Sequence, residues 1–348
     1  MRRVETIALL VALAFYLWFI HYFGLAQLVG YVRLAGWGLA LTVSLEALAR
    51  IANTLGWRVT IERLPQNLRL RELFAARIAG EAVDYTTPSA QLGGQFVMAL
   101  MVRRKLAMAQ GLATVIAAAL AEMVGQIGFI ALALLFSIGK LAPLHSLLWP
   151  AAGGLALAIG LALGFFLFQK KRPFTLTVQA VGKLFSGRAG SDEIRRSAGD
   201  ADQALADLYA RHRVRLAVSC VCYLCAWALG PVEIYLLLYL LHQHATVRVA
   251  LLTEALGLLI ERATFLIPAK LVSQEGGKAL VMAMLGYPAL VGFAVGFLRR
   301  IKELIWVMLG LGSLGAHRML VERDEDKIER EPRVEEQVLL GAPEAQEE

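Results

Sequence analysis

Uninterrupted apolar runs recur along the chain at 7–23, 34–57, 106–138, 144–168, 214–241 and 285–314. A helix of roughly 20 such residues spans a hydrocarbon core about 30 Å thick. Strands of a membrane barrel are about ten residues long and alternate apolar with polar. These runs are longer, continuous and rich in Ala, Leu and Gly, so they predict an all-α fold, a polytopic transmembrane helical bundle with about seven crossings. The first run follows Met1-Arg2-Arg3. Its apolar core outruns that of a secretory signal and no small-residue cleavage motif closes it, so it is expected to be a retained first span.

Basic residues mark the cytoplasmic side of a membrane protein. Arg2 and Arg3 then place the N-terminus in the cytoplasm, and the second run returns to Arg58, Arg63, Arg69 and Arg71. The long loop 169–213 carries Lys170, Lys171, Arg172, Lys183, Arg188, Arg195, Arg196 and Arg211. For all of these to lie on one side, the segment from about 72 to Arg103-Arg104-Lys105 has to enter and leave by the same face. It is expected to be a re-entrant hairpin broken around Thr86-Thr87-Pro88, where proline removes a donor and disfavours helix in the residue before it.

A second segment repeats this pattern. Gly80-Glu81, Pro88 and Gly93-Gly94 are answered by Glu261-Arg262, Pro268 and Gly276-Gly277, with the proline seven positions after the glutamate in both copies. If three spans separate the hairpins, they enter from opposite faces. Paired, Gly/Pro-interrupted segments of that kind point to a binding site near the midplane of a transporter.

Charges inside apolar runs need a partner or a purpose. Arg77, Glu81 and Asp84 share one helical face leading to Pro88, Glu254 and Glu261 share another, and Arg299, Arg300, Lys302 and Glu303 interrupt the last run. Lys302 apart, these residues form the candidate substrate-binding and gating set together with Pro88, Gly93, Gly94, Arg262, Pro268, Glu275, Gly276 and Gly277. In the functional reading, Arg299 and Arg300, with Arg77 or Arg262, hold a phosphate, because guanidinium pairs bidentately with it. The structural alternative is internal ion pairing that locks helices together, with a loop at Arg299–Lys302 if the last run is two short spans. Glu46 with Arg50 and Glu122 with Gln126 are i, i+4 pairs read as interhelical contacts, and the six tryptophans as interface anchors.

Composition narrows the classes. The chain of 348 residues is 58% hydrophobic and 18% charged, below the charged fraction of about 25% usual for soluble domains. Its net charge of +7 sits in loops beside spans, so no nucleic-acid partner is expected. Cys220, Cys222 and Cys225 lie in one apolar run with no second ligand pair, so no metal and no cofactor is expected. Residues 191–213 read as an amphipathic surface helix with Ala201, Leu205 and Leu208 on one side. The domain plan is a transmembrane domain over 1–318, including the cytoplasmic loop 169–213, and a charged disordered tail over 319–348.

The ordered set Gly80-Glu81, Thr87-Pro88, Gly93-Gly94, Glu261-Arg262, Pro268, Gln274-Glu275-Gly276-Gly277, Leu285-Gly286, Arg299-Arg300 and Glu303 resembles the lysylphosphatidylglycerol synthase transmembrane region, also called the flippase-like family. Gly80 to Gly94 is similar to hopanoid-biosynthesis-associated membrane proteins. Gln95 departs from the acidic residue of many relatives after the Gly-Gly pair. The resemblance implies a lipid-translocating or lipid-handling bundle in the bacterial inner membrane, acting on a hopanoid or a phospholipid. It carries over no synthase activity, and no enzyme is expected, since nothing supplies an intramembrane nucleophile with a base. The alternative is a non-transporting accessory protein whose partners belong to a lipid-biosynthesis complex.

Overall fold

A computed structural model describes residues 24–62, 64–87, 92–137, 145–176, 192–263 and 273–340, and all its regular elements are α-helices. The expected first span at 7–23, both helix-breaking prolines Pro88 and Pro268, and residues 341–348 lie outside the described residues. In chain order the helices are α1 (Leu25–Ala35), α2 (Gly38–Thr60), α3 (Leu70–Thr86), α4 (Leu92–Val102), α5 (Met108–Phe136) and α6 (His145–Gln169). Then follow α7 (Asp192–Arg211), α8 (Arg213–Leu240), α9 (Val247–Ala263), α10 (Ser273–Met284) and α11 (Ala289–Leu340).

The long apolar runs become long helices. Among the described residues, Met108–Phe136, Ala151–Gln169 and Arg213–Leu240 are apolar and long enough to cross a membrane, and the pair α1 and α2 supplies a fourth candidate bent by 73°. The bend falls at Gly36, whose φ of 47° is strained for any residue with a side chain.

The segment expected to re-enter forms a hairpin of α3 and α4, with the break after Thr86 as the sequence indicates. Both ends are tied together. The Glu72 carboxylate accepts from Lys105 Nζ at 2.8 Å and from the Arg69 N–H at 3.0 Å, and Lys105 also donates to the Asn67 carbonyl. Burial raises the Glu72 carboxyl, but these donors outweigh it and hold the group below the ordinary carboxylate range. The second copy, α9 and α10, is closed in the same way, by the Tyr287 hydroxyl donating to the His244 carbonyl. Three candidate spans, α5, α6 and α8, separate the two hairpins. An odd number of candidate spans between them is what an inverted repeat requires.

The surface helix is present as α7. Its Ala198, Ala201, Leu205 and Leu208 are buried, the last two against Ala113 and Ala117 of α5. Asp202 is buried as well and accepts from the Phe174 and Thr175 N–H groups and from the Thr175 hydroxyl. Asp202→Ala leaves those donors bare and is expected to loosen α7 by about 2 kcal/mol, seen as faster amide exchange over 195–211 with α5 unchanged.

The last run, which the sequence leaves open as one span or two, is a single helix: α11 is continuous through Arg299, Arg300 and Lys302, so no loop forms there. Its helix also runs on to Leu340, through the stretch whose composition predicts a disordered tail, because Glu, Arg, Lys and Leu are good helix formers. Trp57 is no interface anchor. It is wholly buried and donates to the Thr114 hydroxyl at 3.3 Å, whereas Trp37 and Trp149 are highly exposed.

Candidate functional site

Intramembrane charge concentrates where α2, α3, α5, α8, α9, α10 and α11 meet, and it is ordered as an alternating chain. Glu122 on α5 accepts from Arg77 of α3 at 2.8 Å, and Arg77 also donates to Glu81 at 2.6 Å and to the Tyr223 hydroxyl at 3.3 Å. Glu81 pairs in turn with Arg50 of α2, whose guanidinium also meets Glu46 at 3.1 Å and lies over the Trp306 ring at 4.9 Å. Lys302 Nζ of α11 bridges Glu46 and Glu233, 2.8 Å from each. Arg299 then joins Glu233 at 3.2 Å to Glu254 of α9. Each cation in this line touches two carboxylates, and Glu46, Glu81 and Glu233 each touch two cations.

A second group lies one helical position round on α11. Arg300 donates to Glu275 at 2.8 Å and 3.1 Å and to the Tyr85 hydroxyl at 2.6 Å, and Glu303 lies 3.7 Å from it while accepting from Gln274. Lys278 meets Glu261 at 3.3 Å. Arg262 differs: its Nε and Nη2 both donate to the neutral Gln126 amide oxygen, at 2.9 Å and 2.5 Å.

Local sequence explains these placements. Glu46 and Arg50, and Arg77 and Glu81, are i, i+4 pairs that face the same way. A Cβ on Gly230 would come within 2.5 Å of the Glu254 carboxylate, so the bare Gly230 backbone lets that acid reach Arg299. On α11, Gly296 lies against Glu275, where a Cβ would sit 2.7 Å from its Cα, and this close docking brings Glu275 beside Arg300 one turn on. In the first hairpin, Gly94 lies against Gly80 and donates its N–H to Asp84 at 2.7 Å. In the second, Gly277 lies against Ile260 more loosely.

Of the residues singled out in the sequence, Arg77, Glu81, Glu254 and Arg299 join the main chain of pairs, and Glu275, Arg300 and Glu303 join the second group. Glu261 and Arg262 sit beside them, while Asp84, Gly94 and Gly277 serve hairpin packing. Gly93 and Gly276 are partly buried in α4 and α10. The guanidiniums of Arg77, Arg299 and Arg300 are all engaged by carboxylates, and Arg299 and Glu303, four apart on α11, take different partners. Glu46, Arg50, Glu122 and Gln126, read as separate contacts, belong to the site. Glu233, Lys278, Tyr85 and Tyr223 were missed, and Lys302 was noted only as an interruption of the last run; Glu233, a lone acid in the apolar run 214–241, carried the same signal as Glu254.

Compared with known families, the chain matches the sequence model described as the lysylphosphatidylglycerol synthase TM region over residues 6–312. No curated protein and no solved structure gives a match.

Proposed function

Since the chain belongs to the lysylphosphatidylglycerol synthase TM region family, we propose that it handles a membrane lipid and carries its headgroup across the bilayer interior. The membrane is the bacterial cytoplasmic membrane, with the N-terminus inside, and the chain itself performs no chemical reaction. The observation that carries this reading is the alternating chain of shared ion pairs that links α3 of the first hairpin to α9 of the second.

A bundle that needed only packing gains little from such pairs, because desolvating two charges offsets most of their attraction and apolar residues would hold the helices as well. Sharing gives them another property. Where each cation has two carboxylates, an incoming phosphate can replace one of them while the other stays, so no charge is stranded in low dielectric during the exchange. Both hairpins contribute ions, Arg77 and Glu81 on α3, Glu254 on α9 and Glu275 on α10. Partner exchange is therefore tied to how the hairpins pack on α2 and α11.

The test is translocation of fluorescent phospholipid and hopanoid analogues in liposomes containing the purified protein. Glu81→Gln keeps the shape but removes the anion shared by Arg50 and Arg77, and is expected to slow movement about tenfold. If the wild type moves no lipid under any gradient, the chain is instead an accessory protein of lipid biosynthesis.

A further inference from the structure

Helices α5 and α9 run antiparallel. Gln126 meets Arg262 at one end, and at the other Arg248 lies 5.9 Å above the Phe136 ring. Beside this contact lies a notch of about 380 Å³ with an almost wholly apolar lining: Phe129, Leu132 and Phe136 of α5, Leu224 and Ala228 of α8, and Leu251 of α9. Leu132 and Phe136 are exposed on an apolar span, so the notch opens toward lipid. On α5, Gln126 stands one turn from Phe129, and on α9 Leu251 lies about 16 Å of helix from Arg262.

Charge separates the polar end of this groove from the rest of the site. Among the described residues, every other cation of the cluster, Arg50, Arg77, Lys278, Arg299, Arg300 and Lys302, meets a carboxylate. Arg262 meets an amide oxygen on two of its nitrogens, which satisfies hydrogen bonds but gives its positive charge no carboxylate among the described residues. Such a charge in low dielectric is stabilised by an anion. An anion carrying an apolar tail would fill both features.

We propose that the groove formed by α5, α8 and α9 binds one anionic phospholipid, with its phosphodiester on Arg262 and an acyl chain in the notch. The proposal rests on the lipid-handling reading above and adds to it the charge class of the lipid and its place of entry. Gln126 is a positioning residue, holding the Nε–Nη2 edge of the guanidinium so that the Nη1 group is presented to the headgroup.

The experiment measures lipid bound to the full-length protein at equilibrium, taken from vesicles of phosphatidylcholine mixed with phosphatidylglycerol and counted by native mass spectrometry. Wild type is expected to retain phosphatidylglycerol about tenfold over phosphatidylcholine, the worth of one charge-assisted contact. Gln126→Glu supplies the carboxylate that Arg262 lacks; it is expected to abolish the preference while leaving the protein at least as resistant to heat. Arg262→Lys should keep most of the preference, and Ala228→Trp, which fills the notch from its exposed side, should weaken both lipids alike. A wild type without preference, or a preference that survives Gln126→Glu, overturns the proposal. Movement of lipid with binding indifferent to Gln126→Glu removes this site and leaves the translocation reading; selective binding with no movement does the reverse.

Discussion

Arg299→Ala is expected to destabilise the protein by about 3–5 kcal/mol, because it strands the buried Glu254 carboxylate and takes one of two partners from buried Glu233. Glu233 and Glu254 are 4% and 3% exposed, and both turn to the Arg299 guanidinium. Lys302 remains beside Glu233, but Glu254 loses the partner that the Gly230 gap admits it to reach. The check is the unfolding midpoint in one fixed detergent, followed by tryptophan fluorescence. The double change Arg299→Leu with Glu254→Leu should recover most of the loss, since a packed apolar pair costs little relative to a buried ion pair. A single variant as stable as wild type would mean that Glu254 is solvated by something other than Arg299.

Gly94→Ala is the second large effect. A Cβ there would lie 2.3 Å from the Gly80 carbonyl oxygen and 2.3 Å from an Asp84 carboxylate oxygen. The carbonyl belongs to a helix backbone, which cannot swing aside as a side chain can, so α3 and α4 must separate. The expected cost is about 3 kcal/mol, the upper part of the overpacking range, together with loss of the Asp84 hydrogen bond. The equivalent change in the second hairpin, Gly277→Ala, meets the Ile260 side chain at 3.2 Å and should cost less than about 1 kcal/mol. Equal midpoints for the two variants would contradict the difference in packing between the repeats.

The sequence carried the helices well because their signal is a property of the chain alone. Runs at 106–138, 144–168 and 214–241 return as Met108–Phe136, His145–Gln169 and Arg213–Leu240. Hydrocarbon imposes the length, and each backbone donor has to be satisfied within its own helix. The hairpin over 72–102 was legible for a related reason: charge at both of its ends fixes the side of entry and exit, and Glu72 with Lys105 closes it. The pattern of Ala201, Leu205 and Leu208 likewise gave α7 and the face it buries.

Pairing was not legible. Arg299 and Glu303 have ideal i, i+4 spacing, yet Arg299 turns to α8 and α9, and Glu303 takes Arg300 and Gln274. Spacing says which side chains share a face, whereas the partner depends on which helix lies opposite. That is decided by close-approach points such as Gly310, where a Cβ would meet the Ile78 carbonyl oxygen at 2.2 Å. Trp57 shows the same limit, since a position near the end of a run is an interface only if no neighbour covers it.

The sequence by itself determined that this is a helical membrane protein with two helical hairpins and an expensive set of buried charges, because length, hydropathy and charge position act along the chain. Only the tertiary structure decided that those charges form one alternating line from Glu122 to Glu254, and that Arg262 faces an amide instead of a carboxylate. Coulomb attraction inside a bundle depends on distances between helices far apart in sequence, and those distances are set by packing.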